Sequence, residues 1–165
     1  MGDNFLREHA VYQIYPISFA DGNGDGKGDL KGVISKLDYL ENLGIKIIWL
    51  SPIYVSPMFD FGYDIEDYYN INPMFGTMED FDLLMEETKK RGIRVVMDLV
   101  VNHTSDHHKW FKEALSNPES PYRDYYVYKK GKKDEKGREL PPNNWQSCFT
   151  GSAWEKVEGE DNMYY

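Results

Sequence analysis

The sequence predicts an α/β protein in which three parallel strands lie in one sheet. Two short runs, IKIIWL at residues 45–50 and IRVVMDLVV at residues 93–101, are almost continuously apolar. Such runs are typical of strands that are buried on both faces, as in parallel sheets. Helical patterns separate the strand candidates, and strands that alternate with helices form parallel sheets through right-handed crossovers.

The elements follow in chain order. The run AVYQIYPISF, residues 10–19, is rich in β-branched and aromatic residues and predicts the first strand. Apolar residues from Val33 to Leu43 recur at steps of three and four, which predicts a helix that ends at Gly44. A second helix is expected between Thr77, as its N-cap, and Gly92, as its terminator.

The loop FADGNGDGKGDLKG, residues 19–32, places oxygen side chains at nearly every second position. Calcium needs 6 to 8 oxygen ligands at about 2.3–2.6 Å, and this spacing suits it. The pattern is not an EF-hand, because Gly32 stands where a bidentate Glu is required. We expect a structural Ca²⁺ site formed by Asp21, Asn23, Asp25, the carbonyl of Lys27, and Asp29.

A simpler interpretation of the same loop is a glycine-rich turn in which Asp29 caps the following helix. The calcium interpretation is preferred because four oxygen side chains within nine residues would repel one another without a cation. A zinc pair made by His103 and His107 is a weak third idea, since no Glu follows the first His and no third ligand is evident.

The composition excludes several classes of partner. A formal net charge of −9 disfavours nucleic acid and anionic membranes, which bind through Lys and Arg. No apolar run reaches the roughly 18 residues of a membrane-spanning helix, and no secretory signal is visible, so we expect a cytoplasmic protein. The single cysteine, Cys148, rules out an internal disulfide.

Beyond residue 104 the regular alternation of strand and helix patterns ends. The segment KKGKKDEKGRELPPNNWQSCFTGSAW is polar and rich in Pro and Gly. We therefore expect two parts: residues 1–103, the start of a barrel, and residues 104–165, an irregular domain. The charge run Lys129 to Arg138 is more simply a solvated hairpin or loop than a binding patch.

Candidate functional residues follow the predicted strands. Asp60, Tyr63 and Asp64 follow the second strand, and Asp98, Asn102 and His103 end the third. The carboxyl ends of parallel strands open on one face, where α/β barrels keep their active sites. Asp98 should be hydrogen-bonded, because an unpaired carboxylate at the end of a buried strand is costly. Its role as a structural anchor and its role as a functional group are equally well supported.

Several segments closely resemble the N-terminal third of oligo-1,6-glucosidases and related α-glucosidases of glycoside hydrolase family 13. They are AVYQIYPISFADGNGDGKGDLKG, IKIIWLSPIYVSP, GYDIEDYYNINPMFGTMEDF, DLVVNHTSDHHKWF and NNWQSCFTGSAW. The resemblance covers nearly the whole chain. It implies the first three strands of a (β/α)₈ TIM barrel plus most of the irregular domain B that follows strand 3, and it implies a calcium site in the opening loop.

The resemblance also implies substrate-binding roles. Asp60 and Tyr63 resemble residues that hold and stack on the non-reducing glucose, and Asp98 and His103 resemble partners of its hydroxyl groups. Phe149 is expected as a pocket wall. Phe61 departs from the family pattern, since many relatives carry a polar residue there.

No catalytic residue is assigned, because the nucleophilic Asp, the acid/base Glu and the transition-state Asp of the family lie on later strands. We therefore expect an inactive fragment of a retaining α-glucosidase that hydrolyses terminal α-glucosidic bonds, preferably α-1,6, in short oligosaccharides. The expected partners are the oligosaccharide in the parent enzyme and either the rest of the barrel or a second copy.

Two other classes remain as alternatives. A non-catalytic scaffold of the same superfamily, such as a transporter ancillary subunit, normally carries a membrane helix and loses the sugar-binding residues. A stand-alone calcium- or carbohydrate-binding module would leave the edges of a three-stranded sheet bare, which favours aggregation.

Overall fold

A computed structural model describes residues 4–165 of the chain, which fall into two compact units that divide between His108 and Lys109. The predicted boundary at residues 103 and 104 stays a prediction. The first unit contains helices α1 (Phe5–Glu8), α2 (Pro16–Phe19), α3 (Leu30–Ser35), α4 (Leu37–Asn42) and α5 (Met78–Lys90), and strands β1 (Val11–Ile14), β2 (Ile47–Leu50), β3 (Tyr54–Val55), β4 (Asp67–Ile71) and β5 (Arg94–Met97).

The principal sheet of the first unit has the order β1-β2-β5, and both strand pairs are parallel. This confirms the predicted α/β fold class and its three parallel strands. Strand β2 lies in the centre, and its Ile47, Ile48 and Leu50 are fully buried. Helices α3, α4 and α5 supply further core residues, among them Leu30, Val33, Leu37, Leu40 and Leu84.

The predicted lengths of one strand and one helix in the first half of the unit are wrong. Strand β1 ends at Ile14, because Pro16 opens helix α2 at its first position, where proline is pre-organised for a helix. The predicted single helix from Val33 to Leu43 is two short helices separated at Lys36. The Ser35 hydroxyl donates to the carbonyl oxygen of Gly32 at 2.7 Å, a side-chain bond of the kind that bends helices.

The second half of the unit follows the prediction more closely. The hydroxyl of Thr77 accepts from the backbone N–H of Asp80, and the Asp80 carboxylate accepts from the N–H of Thr77, so a capping box opens α5. Gly92 follows the helix in the left-handed region with φ 63°. Strand β5 stops at Met97 and not at residue 101, because Met97 pairs with Leu50, the last residue of β2.

The second unit is irregular, as predicted. It contains helix α6 (Lys109–Ser116), a 3₁₀ turn (Arg123–Tyr125) and the short strands β6 (Lys129–Lys130), β7 (Lys132–Lys133), β8 (Glu139–Leu140) and β9 (Met163–Tyr164). Antiparallel pairs β6-β9 and β7-β8 tie it together. The charge run from Lys129 to Arg138 lies in an exposed strand and hairpin, which confirms the solvated interpretation.

Across residues 4–165, no helix is both long enough and apolar enough to cross a bilayer.

Candidate functional site

The candidate site lies in the first unit, at the carboxyl ends of β2 and β5. Asp98 directly follows the last residue of β5, and Ser51 directly follows the last residue of β2. Because these strands are parallel and in register, both ends open on the same edge of the sheet. This edge is where α/β barrels position their catalytic and binding groups.

Both carboxylate oxygens of Asp98 accept hydrogen bonds from aromatic side chains. The indole Nε1–H of Trp49 donates to Oδ1 at 3.0 Å, and the Tyr63 hydroxyl donates to Oδ2 at 2.9 Å. The Tyr54 hydroxyl also donates to the backbone oxygen of Asp98 at 3.3 Å. The expectation that this carboxylate is hydrogen-bonded is confirmed. Its geometry suits orientation of neighbouring groups better than attack on a substrate, since both oxygens are occupied.

His103 completes this arrangement from the segment that follows β5. Its Nε2 lies 2.9 Å from the backbone oxygen of Tyr63. A carbonyl oxygen only accepts, so Nε2 is the donor and carries the proton. The hydroxyl of Tyr68 is shared between the carbonyl oxygens of Val100, at 2.7 Å, and His103, at 2.9 Å. The structure therefore brings Tyr63, Asp98 and His103 together through direct hydrogen bonds.

The phenol of Tyr63 is held in its neutral form. Burial, followed by the hydrogen bond to the Asp98 carboxylate, raises the pKa of Tyr63 to about 12. Ionisation would place a second negative charge beside Asp98 and remove the proton that the hydrogen bond uses. Tyr63 is therefore a fixed hydrogen-bond donor at any physiological pH, and its ring has a defined orientation.

Asp60 lies in the loop that leads to Tyr63. The carboxylate of Asp64 shapes this loop by accepting from the Ser56 hydroxyl at 2.8 Å and from the backbone N–H groups of Phe59 and Asp60 at 2.9 and 3.1 Å. The backbone N–H of Tyr63 donates to the carbonyl oxygen of Asp60 at 2.9 Å. The half-buried Asp60 makes no side-chain hydrogen bond to the described residues, so its carboxylate is available to a ligand.

Phe149 lies in the second unit, where its side chain is exposed. It stands in a tight turn in which Thr150 and Gly151 both have positive φ and the backbone N–H of Phe149 donates to the Ser147 hydroxyl at 3.1 Å. Its proposed role as a pocket wall stays a prediction.

The oxygen-rich loop closes around its own backbone. Asp21 accepts from the N–H groups of Asn23, Gly24 and Gly26 at 2.6 to 3.0 Å. These bonds, that from Gly24 above all, lower the pKa of the Asp21 carboxyl. The oxygens of Asn23 and Asp25 accept from the N–H groups two residues further on, each at 2.8 Å.

Asp29 has a different place from the other loop oxygens. It is buried, and its Oδ1 accepts from the N–H of Gly32 at 2.6 Å and from the N–H of Gly22 at 3.2 Å. The helix-capping role that the simpler interpretation gives it is therefore confirmed. The sequence argument required a cation to offset the repulsion between the loop oxygens. In the structure, backbone N–H donors offset that repulsion instead.

The donors at the loop fit calcium in type but are not assembled as a carboxylate cluster. Among the described residues, no three His, Cys, Asp or Glu side chains converge in a metal-binding arrangement. This finding also removes the support for a zinc site, since His103 contacts Tyr63 while Nδ1 of His107 lies 3.8 Å from Glu66. The exposed Asp21, Asn23 and Asp25 and the Lys27 carbonyl remain as hard oxygen donors.

Sequence reasoning missed three aromatic residues that hold the site: Trp49, Tyr54 and Tyr68. Trp49 looked like an apolar member of a buried strand, and only the register that pairs Trp49 with Val96 brings its indole beside the end of β5. The sequence did contain one indication of their role: a Trp or Tyr in a buried strand or loop needs a hydrogen-bond partner for its N–H or O–H group.

Comparison with known proteins identifies one matching family profile and several similar sequences. The profile described as "Alpha amylase, catalytic domain" matches residues 13–165. The α-glucosidase of Schizosaccharomyces pombe is 55% identical over 161 residues, covering 98% of this chain and 28% of the relative. The oligo-1,6-glucosidase of Parageobacillus thermoglucosidasius is 56% identical over 158 residues, covering 96% of this chain and 27% of the relative.

A solved structure is also similar to this chain, in both sequence and fold. An inactive double mutant of MutB in complex with isomaltulose superposes with a TM-score of 0.91 at 51% identity, covering 100% of this chain and 29% of that one. The chain thus spans less than a third of the length of the relatives that it matches. The profile match over most of the sequence, together with the parallel sheet and its polar edge, establishes that the chain belongs to the α-amylase catalytic-domain family.

Proposed function

We propose that this chain is the part of a retaining α-glucosidase that supplies one side of the site for the non-reducing glucose. The observation that carries the proposal is the set of hydrogen bonds that joins Tyr63, Asp98 and His103 at one edge of the sheet. The chain is 55% identical in sequence to an α-glucosidase and 56% identical to an oligo-1,6-glucosidase, which supports the proposed reaction class. Terminal α-glucosidic bonds in short oligosaccharides, preferably α-1,6 bonds, are the proposed substrates.

Each residue has a distinct proposed role. The unpartnered carboxylate of Asp60 accepts from sugar hydroxyl groups, and the Tyr63 ring stacks on the apolar face of the sugar. Asp98 fixes the ring through the phenol, and His103 fixes the loop through the Tyr63 carbonyl. His103 is exposed, so its Nδ1 can also reach a hydroxyl group.

The reacting carboxyl groups are proposed to come from the part of the relatives that this chain does not span. Retention requires two carboxyl groups about 5–5.5 Å apart, one that attacks and one that protonates. Asp98 is not proposed for either role, because Trp49 and Tyr63 occupy both of its oxygens. On this proposal the 165-residue chain alone does not hydrolyse a nitrophenyl α-glucoside.

A chimaera tests this proposal. The chain replaces the matching segment of the Parageobacillus thermoglucosidasius oligo-1,6-glucosidase, and hydrolysis of nitrophenyl α-glucoside is measured. We expect an active chimaera in which Tyr63→Phe lowers kcat/KM on the order of tenfold or more, the scale of losing a hydrogen bond to a charged group. Tyr69→Phe, on an exposed residue of β4, is the matched control. A folded but inactive chimaera, or equal effects of both variants, would contradict the proposal.

We also propose a structural Ca²⁺ site in the loop, formed by Asp21, Asn23, Asp25 and the Lys27 carbonyl, with the second carboxylate oxygen of Asp29 as a further ligand. Calcium should raise the melting temperature, since a ligand that binds only the folded state stabilises it. Asp25→Ala should abolish the shift, and Asp82→Ala, on the exposed face of α5, should retain it. An unchanged melting temperature would mean that backbone donors alone hold the loop.

Cytoplasmic location and the absence of nucleic-acid and membrane partners stay predictions from composition.

A further inference from the structure

The oxygen-rich loop contains three consecutive pairs in which glycine follows Asp or Asn. They are Asp21-Gly22, Asn23-Gly24 and Asp25-Gly26, and all of these residues are exposed. In such a pair the glycine nitrogen can attack the side-chain carbonyl carbon of the preceding residue and close a succinimide ring. Glycine favours the attack because it has no side chain to shield its nitrogen. Asn23 is the most reactive of the three, since the carbon of an amide is more electrophilic than that of an ionised carboxylate.

In the structure, each of the three glycine nitrogens donates its hydrogen to a carboxylate. The N–H of Gly24 donates to Oδ1 of Asp21 at 2.6 Å, and the N–H of Gly26 donates to Oδ2 of Asp21 at 2.8 Å. The N–H of Gly22 donates to Oδ1 of Asp29 at 3.2 Å. Ring closure requires the nitrogen to lose this proton, and a hydrogen bond to an anion makes that loss less favourable. The loop conformation therefore restrains the reaction at all three pairs.

The side chain of Asn23 is restrained as well. Its Oδ1 accepts from the backbone N–H of Asp25 at 2.8 Å, and its Nδ2 donates to Oδ2 of Asp25 at 3.4 Å. Apart from its chain neighbours, no described residue has an atom within 4 Å of the position that a Cβ would take at Gly24. The reacting groups are therefore protected by hydrogen bonds and not by packing.

We propose that Asn23 is a site of spontaneous deamidation and that Asp21 controls its rate by holding the Gly24 nitrogen. When the loop opens, that nitrogen bonds to Cγ of Asn23, the bond from Cγ to Nδ2 breaks, and the proton of the Gly24 nitrogen leaves with Nδ2 as ammonia. Water then opens the succinimide to aspartate or isoaspartate at position 23, so the net reaction takes up one water and releases one ammonia.

The modification changes the charge of the loop. Both products add a carboxylate beside Asp21, Asp25 and Asp29, and the added repulsion makes return to the closed loop less favourable. Isoaspartate also lengthens the backbone by one carbon between residues 23 and 24. The reaction depends neither on the function proposed for the chain nor on bound calcium.

The test compares the intact chain with a free peptide of residues 19–32, which has the same sequence without the fold. Both are incubated at mildly alkaline pH with a chelator present, and mass spectrometry follows the conversion of amide to acid at Asn23. We expect conversion in both, at least about tenfold slower in the chain, which is the scale of one hydrogen bond to a charged group.

A variant assigns the protection to one side chain. Asp21→Ala should raise the rate at Asn23 in the chain at least about tenfold, because it releases the Gly24 nitrogen. The same substitution in the peptide should leave the rate nearly unchanged, which separates the loop contact from an effect of sequence. Asp82→Ala, on the exposed face of α5, is the matched control and should not alter the rate. Circular dichroism checks that each variant chain is folded.

Three results would overturn the proposal. Equal rates in the wild-type chain and the peptide would show that the loop gives no protection, and this comparison needs no variant. An unchanged rate in folded Asp21→Ala would show that Asp21 does not control the reaction. No conversion in either folded chain, once the peptide has reacted fully, would show that Asn23 is not modified in the folded protein.

Discussion

At the scale of single residues, the site depends on one carboxylate, that of Asp98, whose two oxygens each accept a hydrogen bond. Asp98 orients Trp49 on one strand and Tyr63 on a loop, so removal of its charge affects both at once. Replacement by Asn supplies one acceptor oxygen for the Trp49 indole and one NH₂ group, which can only donate to the Tyr63 oxygen, so the hydrogen bond at Tyr63 would reverse its direction. Asp98 thus links the strand ends and adds to the effect of burial, which raises the pKa of Tyr63.

Titration of the phenol tests this link. The pKa of Tyr63 is raised to about 12, so one phenol should ionise at unusually high pH in an ultraviolet absorbance titration. The Tyr63→Phe variant should lack that ionisation step. Because the pKa is raised on folding, its stabilising contribution is complete below pH 10 and is lost as the pH rises from about 10 to about 12.

The control for this titration is Asp98→Asn, which should lower the pKa of Tyr63 by part of the shift only, since burial is the larger cause. Identical titrations of the phenol in the wild-type chain and in Asp98→Asn would contradict the proposed coupling.

At the scale of elements, the loop between β3 and β4 is the strained part of the site. Met58 and Phe61 have positive φ angles of 66° and 50°, a region that costs an L-residue roughly 1–2 kcal/mol. The three hydrogen bonds that Asp64 accepts hold the loop in this conformation. The loop is therefore specified by side-chain bonds and not by backbone preference.

Phe61→Asn should raise the free energy of unfolding by up to about 1 kcal/mol, because Asn tolerates the left-handed region better than Phe. Little burial is lost, since Phe61 is 69% exposed. Urea denaturation measures the change. Phe59→Asn is the matched control, because Phe59 is 79% exposed and lies outside the positive-φ residues. A loss of stability with Phe61→Asn alone would show that the Phe61 ring makes a contact of its own.

At the scale of the whole molecule, the sheet of the first unit has one face that the described helices cover only in part. Gln13, Trp49 and Val96 are in register on neighbouring strands, and Gln13 and Val96 are exposed. Leu99 and Val101, beyond the end of β5, are exposed as well. We propose that further strands of the same barrel, or a second copy of the chain, cover this face, since exposed apolar surface with open strand edges promotes association.

Sedimentation of the chain should therefore show concentration-dependent association. Val96→Lys should raise the dissociation constant at least about tenfold, because it places a charge on the face that association buries. Tyr39→Lys, on the exposed side of α4, should have no such effect. A chain that sediments as a monomer at every concentration would contradict the proposal.

The sequence by itself determined the features that depend on short-range patterns. The sequence predicted strand β2, helix α5 and the Thr77 cap, because hydrophobic periodicity and capping residues can be recognised within a few neighbouring positions. The meeting of Tyr63 with Asp98 followed from one further rule, that parallel strands end on the same face. The family resemblance added the expected reaction class.

Only the tertiary structure decided the features that depend on register and on competition between partners. Strand β5 ends at Met97 because its neighbour β2 ends there. Trp49 donates to Asp98, which is 49 residues away in the sequence, and Asp29 accepts from backbone N–H groups. Trp145 and Trp154 of the second unit stack, and one oxygen of Asn143 accepts from both. The physical reason is the same in each case: a hydrogen bond or a ring contact is decided over a few tenths of an ångström, and sequence spacing alone does not fix distances between segments.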